Sequence, residues 1–209
     1  MSSYKTQNKE SQNAVTPDEV ISMLIEGNKR FVNKNSTERD YIEQVSITSK
    51  GQFPYAIIHG CIDSRVPIEH VFDLGIGDVF TSRIAGNIIN EDILGSMEFA
   101  CAAAGSKAII VIGHTKCGAI KGACDHVNLG NLTGLLNKIE PVIDSIKDKY
   151  EDLSSANVEF FNEVIIENVK YSIELIREKS SILATLEQEN KIKIIGALYN
   201  VDNGSIAFL

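Results

Sequence analysis

Ile109-Ile-Val-Ile-Gly-His-Thr-Lys-Cys117 is the stretch of sequence that decides the fold. Its apolar run has the composition of a buried strand in a parallel sheet, and the run ends in glycine. A second run of this kind, Ile57-Ile-His-Gly60, is followed at once by Cys61. Because the carboxyl ends of strands form the ligand crevice of an open α/β sheet, both segments are predicted to bring their polar residues to one edge.

Cys61, His114 and Cys117 are the residues that this arrangement brings together. Zinc prefers thiolate and imidazole ligands in a tetrahedron, and a site with three protein ligands keeps the fourth position for water. The number of ligands therefore predicts a catalytic zinc site. His-x-x-Cys alone is equally typical of a loop without metal, and the cysteine after the other strand is what favours zinc.

Asp63 and Arg65 follow Cys61 closely and are predicted to form a bidentate ion pair beside the metal. The pair would keep Asp63 ionised, so that its carboxylate could accept a hydrogen bond from zinc-bound water and orient it. In the absence of Cys61, the same two residues would indicate only an ordinary salt bridge in a loop.

These two segments resemble the signature segments of the beta-class carbonic anhydrases. Cys61-Ile-Asp-Ser-Arg65 is similar to that family's Cys-x-Asp-Ser-Arg, and Gly113-His-Thr-Lys-Cys-Gly118 is similar to its Gly-His-x-x-Cys-Gly. The resemblance extends from about Gln52 to the carboxyl terminus. It implies reversible hydration of carbon dioxide to bicarbonate and a proton, by attack of zinc-bound hydroxide.

The resemblance also implies a role for individual residues. One zinc ion per subunit would be bound by Cys61, His114 and Cys117, and the catalytic pair would be Asp63 and Arg65. The family's basic unit is a dimer, so a homodimer or a dimer of dimers is expected.

Four further residues match positions of the family's substrate pocket. Gln52, nine residues before Cys61, matches a glutamine that hydrogen-bonds the substrate, often across a subunit interface. Phe80 and Phe99 match apolar or aromatic positions that line the pocket, and Ala85 lies near them. The ordinary alternatives stay open, because a buried phenylalanine is usually core and a lone glutamine is usually solvated.

The sequence departs from one family feature. Some bacterial members have a non-catalytic bicarbonate site built from a tryptophan three residues before the first zinc cysteine, an arginine and a tyrosine. The first position is Ile58 here, and the chain has no tryptophan, although Arg83 and Tyr199 match the other two positions. We therefore expect water on zinc, Asp63 paired to Arg65, and no bicarbonate inhibition of that kind.

Two other functions are compatible with the same residues. A hydrolase of the same fold that acts on carbon disulfide or carbonyl sulfide would use the same catalytic groups and differ in pocket access. A zinc-stabilised binding protein without turnover would need a fourth protein ligand, for which Cys124 is the nearest candidate.

Composition limits the class of protein. With 209 residues, 44% of them hydrophobic, the chain is predicted to form one zinc-dependent catalytic domain over residues 16–209, preceded by a flexible polar arm over residues 1–15. A net charge of −8 argues against binding to nucleic acid or to an anionic membrane. We found no apolar run long enough to span a bilayer and no signal-peptide pattern, so a cytoplasmic location is expected.

The predicted fold is α/β, with a mixed sheet of parallel central strands flanked by helices and an antiparallel edge strand at the carboxyl end. Strands are predicted near residues 57–60, 79–85, 107–113, 191–199 and 205–209. Helices are predicted near residues 17–31, 92–104, 119–126, 132–149, 158–179 and 182–188.

Overall fold

The structure is a computed structural model that describes residues 5–209, and it is built around one five-stranded sheet. The strands are β1 Ala56–Gly60, β2 Val79–Arg83, β3 Ala108–His114, β4 Lys193–Tyr199 and β5 Ile206–Phe208. Their order across the sheet is β2-β1-β3-β4-β5. The first four strands are parallel, and β5 pairs antiparallel with β4. The predicted mixed sheet with an antiparallel edge strand at the carboxyl end is therefore confirmed.

Helices cover both faces of the sheet, so β1 and β3 are buried along their whole length. The helices are α1 Lys9–Ala14, α2 Pro17–Val32, α3 Tyr41–Thr48, α4 Ile68–Val71, α5 Glu91–Glu98, α6 Gly118–Cys124, α7 Gly130–Leu136, α8 Glu140–Ile146, α9 Val158–Lys179 and α10 Ser181–Gln188. Alternate residues of β1 face different layers. Ile58 packs with α2, whereas Ile57 packs with α9 and α10.

The register of β1 and β3 positions the two signature segments side by side. Gly60, the last residue of β1, is paired with Ile112 of β3. Cys61 therefore leaves the sheet beside the end of β3, where His114 is the last strand residue. Both segments reach the carboxyl edge, as the apolar runs predicted.

Three element boundaries differ from the prediction. The single helix predicted over residues 132–149 is divided into α7 and α8, because Pro141 is tolerated in the first turn of a new helix but not in the interior of a continuous one. The helix predicted over residues 92–104 changes to a π-helical turn at Phe99–Ala103. β2 ends at Arg83, two residues early, because a 3₁₀ turn follows at Ala85–Asn87. The short helices α1, α3 and α4 were not predicted.

The amino-terminal segment is helical in part. Residues 1–4 of the predicted arm lie outside the described residues, but α1 follows them, and its Gln12 side chain donates to the carbonyls of Pro54 and Ala104 at 2.7 and 2.8 Å. Helix α2 begins at Pro17, as predicted, and is preceded by a capping box formed by Thr16 and Glu19. The arm's flexibility and the division at residue 16 stay predictions.

No helix in the part of the chain that the structure describes is both long and apolar enough to cross a membrane. The cytoplasmic location stays a prediction.

Candidate metal centre and active site

Three candidate metal ligands meet at the carboxyl edge of the sheet. They come from the end of β1, the end of β3 and the residue before α6. Cys61 follows β1, His114 ends β3, and Cys117 directly precedes α6. Their candidate ligand atoms all lie within 4.8 Å of one another, and the two sulfur atoms are 3.9 Å apart. All three residues are buried, with 4% exposure or less. The predicted set of ligands is thus assembled in the fold.

The hydrogen bonds of His114 leave one ring nitrogen for a metal. Its Nδ1 lies 2.9 Å from the carbonyl oxygen of Thr115. Because that oxygen can only accept, Nδ1 carries the proton and Nε2 keeps its lone pair. Within residues 5–209, Nε2 is buried without a hydrogen-bond partner. An orphaned buried acceptor beside two sulfur atoms fits a thiophilic metal such as zinc.

The two cysteines behave as a coupled pair. Hydrogen bonding from the Cys117 thiol lowers the pKa of Cys61 to about 4, although burial acts in the opposite direction. The backbone N–H groups of Asp63 and Gly86 also lower this pKa. The same sulfur–sulfur bond, together with burial, raises the pKa of Cys117. The pair therefore favours one thiolate and one retained proton at neutral pH, and a metal ion would displace that proton.

Asp63 is held by Arg65 next to the candidate ligands. Arg65 donates from Nε to Oδ1 at 2.9 Å and from Nη2 to Oδ2 at 2.7 Å, and its backbone N–H also donates to Oδ1 at 2.9 Å. These bonds from Arg65 lower the pKa of Asp63 to about 2. The Oδ2 atom is 3.9 Å from His114 Nε2. An ionised carboxylate therefore lies beside the nitrogen that would bind metal.

Arg83, at the end of β2, fixes the backbone that carries this carboxylate. Its Nε donates to the carbonyl of Cys61 at 2.8 Å, and its Nη2 donates to the carbonyl of Asp63 at 2.6 Å. Tyr199 is buried at the end of β4, paired in register with His114, and Ile58 is buried in the core. The guanidinium of Arg83 is thus used within the chain to hold the segment from Cys61 to Asp63.

The four predicted pocket residues lie in three places. Ala85 begins the 3₁₀ turn whose next residue, Gly86, donates its N–H to Cys61 Sγ at 3.3 Å, so Ala85 is near the centre. Phe80 and Phe99 form an edge-to-face pair, 5.9 Å between ring centroids, and line a surface cavity of about 680 Å³. Gln52 is exposed and precedes the amino end of β1.

Gln52 and Cys61 are therefore at opposite ends of β1. The five residues of this strand span about 17 Å at roughly 3.3 Å per residue. Within one chain, the fold does not bring Gln52 to the cysteines.

Cys124 is not part of the metal-binding group, which among the described residues consists of Cys61, His114 and Cys117. Its thiol is buried in the core at the end of α6, where burial raises its pKa to about 11. A protonated thiol in this position does not support the prediction of a fourth protein ligand.

Ala85 was predicted to lie near the pocket, but the sequence predictions gave no role to Gly86 and Asn87 in the same turn after β2. Gly86 has a φ of +66°, and a Cβ atom there would lie 3.0 Å from Ile139 Cδ1 and 3.2 Å from Ala119 Cβ. Glycine is therefore required by both backbone and packing. The available signal was Arg83-Ile-Ala-Gly-Asn87, a glycine soon after a strand at the edge that carries the ligands.

A family model described as carbonic anhydrase matches residues 56–206, which include every residue of the centre described above. The chain belongs to the beta-class carbonic anhydrase family. Carbonic anhydrase 2 of Mycobacterium tuberculosis is 34% identical over 184 residues, which are 87% of each chain. A carbonic anhydrase of Mycolicibacterium smegmatis is 28% identical over 88% of each chain.

Solved beta-carbonic anhydrases have the same fold. CafA of Aspergillus fumigatus matches with a TM-score of 0.72 and 27% identity, over 91% of this chain and 90% of that one. The tetrameric beta-carbonic anhydrases of Sordaria macrospora include a chain with a TM-score of 0.72 and 21% identity, over 91% and 97% of the two chains. The resemblance seen in the two signature segments is thus confirmed over most of this beta-class carbonic anhydrase chain.

Proposed function

We propose that the protein catalyses the reversible hydration of carbon dioxide to bicarbonate and a proton, with zinc bound by Cys61, His114 and Cys117. One observation carries the proposal: the buried Nε2 of His114 has no hydrogen-bond partner among the described residues, yet lies among two sulfur atoms and an ionised carboxylate. Three protein ligands are the number typical of catalytic zinc. When bound, zinc would supply the Lewis acid that makes water nucleophilic near neutral pH.

Asp63 has the properties of an orienting acceptor. Because its pKa is about 2, the carboxylate is ionised at neutral pH and can only accept hydrogen bonds. Arg65 makes two bonds to Oδ1, from Nε and from its backbone N–H, but one bond to Oδ2, which leaves Oδ2 able to accept one more bond from a group with a proton. Asp63 would therefore select and orient water, and it would reject ligands that cannot donate.

Two arginines hold the orienting group in place from different directions. Arg65 donates hydrogen bonds to the carboxylate of Asp63, and its Nη2 also donates to the carbonyl of Lys116 at 3.1 Å. Arg83 donates hydrogen bonds to the backbone carbonyls of Cys61 and Asp63. These contacts connect the two ligand-bearing loops and support a carboxylate with one fixed direction, as orientation of a reactant requires.

We infer that Gln52 serves the site of a neighbouring subunit in a homodimer or a dimer of dimers. It is exposed, and it lies at the end of β1 remote from Cys61 in its own chain. The relatives from Sordaria macrospora are described as tetrameric, which supports an assembly of this kind. Phe80 and Phe99, on and beside the edge strand β2, are proposed to line the substrate pocket in that assembly.

The proposal is tested by stopped-flow hydration of carbon dioxide with protein stripped of metal and then reloaded with zinc. We expect activity to be lost on stripping and restored by one equivalent of zinc per chain. Full activity without zinc, or none with zinc bound, would contradict the proposal. In the second case, turnover of carbon disulfide or carbonyl sulfide by the same sample would identify the alternative hydrolase.

A further inference from the structure

Three consecutive backbone carbonyl groups in the turn between β2 and α5 accept hydrogen bonds from side chains. The carbonyl of Gly86 accepts from Asn168 Nδ2 at 2.8 Å, that of Asn87 from Ser172 Oγ at 3.2 Å, and that of Ile88 from His59 Nε2 at 3.1 Å. All three donor side chains belong to buried residues. A turn held in this way has little freedom to change its peptide orientations.

This turn also contacts the candidate metal centre directly. The N–H of Gly86 donates to Cys61 Sγ at 3.3 Å. Partners that hydrogen-bond a metal ligand fix its direction and tune its donor strength. The position of the Gly86 peptide therefore bears on how the Cys61 sulfur meets a metal.

Asn168 is the donor closest to this contact. It lies on α9 with 2% exposure, one helical turn before Ser172, so both donors project from the same face of the helix. Its amide holds the carbonyl of Gly86, the same residue whose N–H reaches Cys61. We infer that Asn168 is a positioning residue for the metal centre, acting on the Cys61 sulfur through Gly86. The inference rests on the zinc site proposed above.

A purely structural role for Asn168 makes a different prediction. Whether Asn168 has a positioning role or only a structural one, removal of its buried hydrogen bond lowers the stability of the fold. Only a positioning role alters the metal centre itself. Two readouts are specific to that centre: the sulfur-to-metal charge-transfer absorption of the cobalt-substituted protein, and zinc affinity measured by competition with a chromophoric chelator.

Asn168→Leu removes the donor and keeps a side chain of similar size. The matched control is Asn28→Leu, because Asn28 is also buried and also donates Nδ2 to backbone carbonyls, those of Val71 and Gly204, both at 2.9 Å. We expect Asn168→Leu to weaken zinc binding by about 10-fold or more and to shift the cobalt absorption. Asn28→Leu should change neither, although it should also lower the melting temperature.

Equal behaviour of Asn168→Leu and Asn28→Leu in both readouts would overturn the inference. If Asn168→Leu does not fold, Asn168→Ala replaces it, because alanine also removes the bond to the Gly86 carbonyl. A cobalt shift in that variant would support the inference, and its absence would overturn it. Failure of the wild-type protein to bind either metal would overturn the proposed zinc site itself, and that outcome is visible before any variant is compared.

Discussion

Arg65 holds both carboxylate oxygens of Asp63, with Nε 2.9 Å from Oδ1 and Nη2 2.7 Å from Oδ2. Parallel bonds of this kind fix a carboxylate in direction as well as in charge. Asp63 lies in turn 3.9 Å from the free nitrogen of His114. The pair thus places a negative charge of fixed orientation beside the candidate metal centre, and its two members have separable roles.

Arg65→Lys should reduce carbon dioxide hydration by about 10-fold or more while zinc content stays near one per chain. Lysine keeps the positive charge but cannot bond both carboxylate oxygens in parallel, so Asp63 would lose its fixed direction. The measurement is stopped-flow hydration at matched zinc occupancy. Lys147→Arg, which changes an exposed residue paired with Asp144, is the control and should leave turnover unchanged. Wild-type turnover in Arg65→Lys would show that the bidentate geometry is dispensable.

The pH dependence of stability follows from the same pair. The pKa of Asp63 is about 2, below the value near 4 of an unfolded aspartate. The bonds from Arg65 therefore add stability above about pH 4, and this contribution is lost as the pH falls towards 2. We expect the difference in free energy of unfolding between wild type and Asp63→Asn to be constant from about pH 5 to about pH 8 and to shrink below about pH 4.

Urea denaturation of the two proteins at several pH values measures this difference. Both retain Cys61, His114 and Cys117, so the common pH dependence of zinc binding largely cancels in the comparison. A difference that changes steadily between about pH 5 and about pH 8 would be incompatible with the lowered pKa of Asp63.

Mixed dimers test whether Gln52 acts across an interface. A chain carrying Gln52→Ala is assembled with a chain carrying Asp63→Ala, each of which should have low activity as a homodimer. If Gln52 acts in the neighbouring subunit, one site of the mixed dimer has both residues intact and the other has neither. Each mixed dimer should then recover about half of wild-type turnover.

The same mixture without recovery would place Gln52 in its own chain's site, and full activity of the Gln52→Ala homodimer would place it outside catalysis. Differently tagged chains, purified by both tags, provide the mixed dimer for stopped-flow assay. A monomer in solution would remove the proposed role of Gln52 before any mixing is attempted.

Asp73 is expected to be a major contributor to stability. Its carboxylate accepts from Arg30 at 2.5 Å and Arg39 at 2.6 Å, and also from the backbone and hydroxyl of Thr37. Burial alone would raise its pKa, but the combined bonds from Arg39, Arg30 and Thr37 lower it. Asp73→Asn should lower the free energy of unfolding by about 3 kcal/mol, because two guanidinium groups lose their buried counter-charge.

Chemical denaturation at neutral pH measures this loss. Asp148→Asn, which changes a residue in the exposed turn after α8, is the control and should stay within about 0.5 kcal/mol of wild type. A similarly small effect of Asp73→Asn would show that the cluster contributes little net stability.

The grouping of the three candidate metal ligands could be predicted because local signals were sufficient. Cys61 directly follows the apolar strand β1, and His114 is the last residue of the apolar strand β3. Parallel strands have their carboxyl ends at the same edge of the sheet. The Asp63–Arg65 bond was equally accessible, since only Ser64 separates its partners in the sequence. No comparable signal marked Asn168, because it is 82 residues from Gly86 and sits within an otherwise ordinary amphipathic helix.

The other differences between the predicted and the observed structure also have physical reasons. Helix α3, Tyr41–Thr48, exposes Tyr41, Ile42 and Val45, so its apolar residues do not mark one buried face. The division of the helix predicted over residues 132–149 was detectable, because Pro141 lies inside that range. The location of Gln52 relative to a site depends on a second chain, which no local pattern in this sequence specifies.

The proposed activity requires Asp63 to act at a zinc centre, and turnover of Asp63→Ala at full zinc occupancy tests this requirement most directly. Carbon dioxide hydration is followed by stopped flow at neutral pH for wild type and variant, each containing one zinc per chain. We expect rapid turnover in the wild type and a reduction of about 100-fold or more in the variant, since an orienting acid or base group contributes about 10²–10⁴-fold. Equal turnover of the two proteins would contradict the proposed mechanism.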